Sequence, residues 1–103
     1  MDVEAKLRRI VLDVLKPHNP SIIELAQELA ALPHVDGVNV NIYEMDRNVE
    51  NAKVTLEGDD LNYQSILGVI QTAGGTVHSI DEVVAGKMLI EDAPTLQDAR
   101  NLG

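Results

Sequence analysis

Three stretches of this chain alternate apolar and polar residues with a period of two. Two others repeat apolar residues at steps of three and four. Their order along the chain leaves few folds open. Residues 6–16, KLRRIVLDVLK, read as a strand whose inward row is Ile10, Leu12 and Val14. The opposite row, Arg9, Val11, Asp13 and Leu15, mixes charge with apolar side chains. Pro17-His18-Asn19-Pro20 breaks that strand. A helix follows, started either by Asn19 as cap with Pro20 at its first position or by a Ser21–Glu24 capping box. Ile22, Leu25, Leu29 and Leu32 form its apolar stripe, and Pro33 ends it.

Residues 35–45 alternate cleanly, with Val38, Val40 and Ile42 inward and Asn39, Asn41 and Tyr43 outward. Asp46-Arg47-Asn48 supplies turn chemistry. Residues 49–57 return as a third strand, with Ala52, Val54 and Leu56 opposite Lys53, Thr55 and Glu57. A second helix is expected over about 60–73, capped by an Asp at its start and buried through Leu61, Ile66, Val69, Ile70 and Ala73. Gly74-Gly75 is its C-terminal stop. Residues 76–90 read as extended but would run roughly 50 Å if straight. That length predicts a bulge near Ser79-Ile80 or a break near Ala85-Gly86, with the remainder overhanging the domain. The expected division is a domain over residues 1–90 and a polar tail over 91–103.

Strand, helix, strand, strand, helix, strand is the split βαβ order. It predicts an α+β, ferredoxin-like sandwich, a four-stranded antiparallel sheet in order 4-1-3-2 with both helices on one face. The loop after the first strand, the hairpin tip and the entry to the last strand then share one end. His18 and His78 belong to that end and His34 to the other. The second face of the sheet has no helix over it, and its Val11 and Leu15 call for cover by a partner subunit or by the tail.

Composition removes several classes of function. The chain has 103 residues and no Cys, which excludes disulfides, thiolate metal sites and cysteine nucleophiles. Eight Lys and Arg stand against 17 Asp and Glu, a net charge of −9 that opposes phosphate-backbone binding. The only aromatic residues are Tyr43 and Tyr63, so strands one and three carry none of the base-stacking aromatics of an RNA-recognition sheet. No apolar run is long enough to cross a bilayer. The charged N-terminus lacks an apolar signal core, which predicts a cytoplasmic protein. There is no phosphate-binding glycine loop and no nucleophile-elbow serine.

Three motifs, RRIVLDVLKPH (8–18), HVDGVNVNIYEMD (34–46) and GGTVHSIDEVVAGK (74–87), resemble a family of small archaeal proteins defined as domain of unknown function two hundred and eleven. The resemblance spans about residues 6–90. It implies a ferredoxin-like fold, an archaeal cytoplasmic origin and ring-like homo-oligomers. It implies no reaction and carries over no catalytic residue.

Candidate sites follow from the topology. Lys16 and His18, beside the start of the first helix, form a weakly positive spot for a small anionic ligand, set against the plainer reading of exposed loop residues. Asp13 and His78 are expected side by side as a ligand site, a general base or a structural hydrogen bond. Asp46, Asn48 and Glu50 at the hairpin tip, with Asp81 and Glu82, are the candidate ligands for calcium or magnesium. With Glu57 the three tip residues match positions 1, 3, 5 and 12 of an EF-hand loop, but Asn51 stands where that loop requires glycine and residues 52–57 alternate as a strand, so an EF-hand is rejected. Arg8, Arg9, Val11, Leu15, Val83, Val84 and Met88 are the candidate contacts between subunits, with the arginines pairing acids across the interface. The functional expectation is a non-enzymatic homo-oligomer, joined through sheet edges and residues 83–90, acting as a scaffold or small-ligand sensor. The rival is a cation-binding ring with acidic sites at subunit junctions.

Overall fold

The computed structural model describes residues 5–92. Its elements are β1 (Leu7–Pro17), α1 (Ile22–Ala30), β2 (Val35–Met45), β3 (Val49–Gly58), α2 (Tyr63–Thr72) and β4 (Thr76–Ala85). The strands form one antiparallel sheet in the order β2-β3-β1-β4, the expected 4-1-3-2 read from its other edge. Ile10, Leu12 and Val14 of β1 stand opposite Leu56, Val54 and Ala52 of β3. These six side chains form one core with Leu25 and Leu29 of α1 and Ile66 and Ile70 of α2. Both helices therefore cover the same face. Each of these large apolar side chains contributes roughly 1.5–3 kcal/mol on burial.

Local chemistry sets the element ends. Ser21 caps α1, its Oγ accepting from Glu24 N–H at 3.3 Å, so the start at Ser21 prevails over Asn19 and Pro20. The expected aspartate cap of α2 is corrected. Asn62 holds that position, with its Oδ1 accepting from Ser65 N–H at 3.0 Å, and the helix begins later than the apolar spacing suggested. Gly74, at φ +82°, closes α2 in the left-handed conformation. Gly74 N–H then reaches Gln71 O and Gly75 N–H reaches Ile70 O, both at 2.9 Å, which satisfies two terminal carbonyls.

The long last segment is broken as its length required. β4 stops at Ala85, Gly86 turns at φ +117°, and Gly86 N–H bonds Lys6 O at 2.9 Å. The register of β4 on β1 slips around His78 and again around Asp81, on either side of the expected bulge. The two edge strands of the sheet are β2 and β4. Among the described residues, no helix is long and apolar enough to cross a membrane.

Candidate functional site

The inward row of β1 does not end with Val14. Lys16 continues it, and its cross-strand partner is Glu50, which continues the row of Ala52, Val54 and Leu56. Lys16 is 1% exposed and Glu50 7%. The burial is tolerated because the pair is closed. Lys16 Nζ donates to Glu50 Oε1 at 2.9 Å and to Pro17 O at 2.7 Å. His18 meets the other oxygen, with Nδ1 2.9 Å from Glu50 Oε2 and Nε2 2.9 Å from Arg47 O. His18 first and Lys16 second hold the Glu50 carboxyl below its ordinary value. At the adjacent turn Asp46 Oδ1 accepts from Asn48 and Val49 N–H at 2.7 and 2.8 Å. These bonds, with Val49 the larger contribution, lower its pKa. Lys16, His18 and Glu50 are thus brought together with Asp46 at the adjacent turn, but the polar atoms of the first three face one another and Asp46 is taken up by the turn's backbone N–H groups. Asn48 joins them through its backbone N–H.

On the open face Asp13 links three strands. Tyr43 Oη donates to Asp13 Oδ1 at 2.5 Å, and His78 Nδ1 lies 3.3 Å from Asp13 Oδ2. The expected Asp13–His78 pair is present. The irregular pairing at His78 explains how, since an extra residue in a strand re-aims its side chains. Tyr43 was placed on this face by its outward parity but not joined to the pair. Asp13 raises the Tyr43 hydroxyl above its ordinary value, because it stabilises the protonated form. The His78 side chain is otherwise exposed. His18 and His78 make no contact with each other; each is held by a different carboxylate.

Arg9 gathers acids on the same face. Its Nε bonds Glu57 Oε2 at 2.6 Å, Nη1 lies 3.3 Å from Glu82 Oε2, and Nη2 bonds Glu91 Oε2 at 2.8 Å. Arg9 lowers the Glu91 pKa, chiefly through that hydrogen bond. Arg8 instead donates to the backbone, reaching Gly58 O at 2.9 Å and Lys87 O at 2.7 Å. The segment after β4 is therefore drawn back over β1. Both arginines have partners in their own chain, so the expected pairing across an interface is not needed to satisfy them. Val11 and Val84 on this face are already buried in the single chain, and Leu15 is half-buried. Val83 and Met88 are exposed. Asp81 accepts from Ser79 Oγ at 2.7 Å. Among the described residues, no three His, Asp or Glu side chains are grouped closely enough to hold a metal ion.

At the other end, a cleft of about 480 Å³ opens between the end of α1 and the start of α2, lined by His34, Asp60, Asn62, Tyr63 and Ser65 among others. His34 there has φ +70°, and its Nδ1 lies 3.1 Å from Asp59 Oδ1. The sequence reading did not single out this cleft, because it depends on how two loops sit together.

The family model described as DUF211, uncharacterized ArCR, matches residues 8–99. The chain belongs to the DUF211 family. It is also 54% identical over 92 residues to the uncharacterized protein MJ0319 of Methanocaldococcus jannaschii, an alignment covering 89% of this chain and 95% of that one. The DUF211 match runs to residue 99, beyond the expected domain end at residue 90. It thus includes Glu91, the carboxylate that pins the returning segment to Arg9. Neither comparison attaches a reaction to this arrangement.

Proposed function

We propose that this protein acts through self-assembly, as a scaffold whose subunits join through β4, the segment that follows it and the free edge of β2. The observation that carries this reading is the set of large apolar side chains left in solvent on β4 and the segment after it. Ile80 is 52% exposed, Val83 53%, Met88 66% and Ile90 61%. Exposed apolar rows beside an unpaired strand are costly for a monomer and are matched by pairing with another chain. A second copy offers a complementary surface, because β2 lies at the opposite edge of the same sheet. Head-to-tail joining of opposite edges closes into a ring when the rotation per subunit allows it. Light scattering on the full chain tests this. Ile80→Lys with Val83→Lys is expected to reduce a discrete oligomer to monomer with the circular-dichroism spectrum kept. An unchanged mass would overturn the reading.

A cation-binding version has one observation in its favour. Asp81, Glu82, Glu91 and Asp92 line one open groove beside Val83, Val84 and Ile90. Hard cations take oxygen ligands, and carboxylates from a second copy would complete such a site. Saturable calcium binding by calorimetry that is lost in Asp81→Asn with Glu82→Gln supports this version. Calcium binding that survives both changes rejects it.

A further inference from the structure

His18 presents its two ring nitrogens to two acceptors. One is Glu50 Oε2 and the other is Arg47 O, each at 2.9 Å. The second oxygen of Glu50 is held by the buried Lys16 ammonium, so Glu50 is a carboxylate with no proton to give. A backbone carbonyl has none either. A neutral imidazole has one N–H and one lone pair, and it satisfies only one of these partners; the imidazolium satisfies both.

We propose that His18 is a pH-sensitive latch, whose imidazolium ties the turn of the β2–β3 hairpin to the end of β1 and whose loss of a proton frees that turn. The charges around it define which bond yields. Glu50 faces it from β3, with Lys16 of β1 on the other oxygen of that carboxylate, and the Asp46 carboxylate and the Arg47 carbonyl lie on its turn side. Glu50 keeps the remaining N–H, because a bond to a carboxylate is stronger than one to a neutral carbonyl. The lone pair of Nε2 then faces Arg47 O, and that contact becomes repulsive. The Lys16–Glu50 pair beneath stays closed, since it is buried and Lys16 bonds the other carboxylate oxygen. Glu50 foremost, then Arg47 O, raises His18 above the ordinary 6.5. A raised folded value means that the latch is fully engaged below the unfolded value. It is lost as pH rises through the folded value. His34 and His78 contact other carboxylates, those of Asp59 and Asp13.

Nuclear magnetic resonance on the full chain from about pH 5 to about pH 9 tests the latch across the range where histidine titrates. Ring nitrogen shifts are expected to show both His18 nitrogens protonated at the acid end. The amides of residues 46–49 should then shift with the His18 midpoint. The bond from Asp46 N–H to Val49 O, 3.0 Å in the closed turn, reports opening. Its exchange protection should fall about fivefold above the midpoint, as for the loss of one ordinary hydrogen bond. His18→Arg should keep the turn protected at every pH, and His18→Gln should leave it weakly protected at every pH. A neutral His18 ring at the acid end overturns the latch, and so does a pH response at residues 46–49 that persists in His18→Gln. The ring measurement needs no variant, so it decides the matter even if a substitution prevents folding.

Discussion

Lys16 and Glu50 are the residues on which the stability of the sheet end turns. Removing one member of a closed buried pair leaves the other charge uncompensated. Lys16→Met should therefore cost about 3 kcal/mol in urea unfolding, whereas Lys16→Met with Glu50→Leu should recover most of the loss. The pH dependence has two limbs. Glu50 is depressed in the fold, so its contribution is present above the unfolded 4.5 and is lost as pH falls through the lower folded value. His18 is raised, so its contribution is present below 6.5 and is lost as pH rises through the higher folded value. Thermal melts should show the benefit of this cluster complete between 4.5 and 6.5, and His18→Gln should remove the alkaline limb and weaken the acid one, because His18 is the larger cause of the Glu50 shift. The place of Lys16 was legible, since its parity matches Ile10, Leu12 and Val14. Its burial was not, because a lysine at the end of a strand is ordinarily solvated. Only the register opposite Glu50 shows the charge matched.

The element boundaries follow from caps and close approaches that differ in how openly the sequence displays them. Ser21 with Glu24 has a recognisable spacing, and it does start α1. Asn62 competed with two preceding aspartates, and the side chain that reaches an N–H three residues ahead decided the cap. Asn62→Ala should lower stability by about 1 kcal/mol in denaturant unfolding. Gly58 has a tighter requirement. A Cβ there would lie 1.9 Å from His34 O and 2.9 Å from Leu61 Cδ2, so β3 would have to move away from the loop before β2. Gly58→Ala should cost about 3 kcal/mol, read as a lowered urea midpoint with unchanged slope. Nothing in the local sequence marks this contact, since it joins residues far apart in the chain. The irregular pairing of β4 was partly legible. Neither parity of residues 77–84 is cleanly apolar, and the register slips there, which is how His78 comes to Asp13.

For the whole molecule, the strand and helix order sufficed to specify a sandwich with one covered and one open sheet face. What covers the open face was less accessible. Arg9, with Glu57, Glu82 and Glu91, draws the end of the described chain across it, which an alternating pattern does not encode. Exposed apolar side chains on β4 and the segment after it remain outside that cover, and they are the reason for proposing an assembly. Native mass spectrometry of the metal-free full chain, with and without calcium, addresses that assignment most directly. The account predicts one discrete homo-oligomer in both conditions, with a fixed number of bound cations per subunit only if the acidic groove lies at a subunit junction. A monomer at micromolar concentration in both conditions would contradict it.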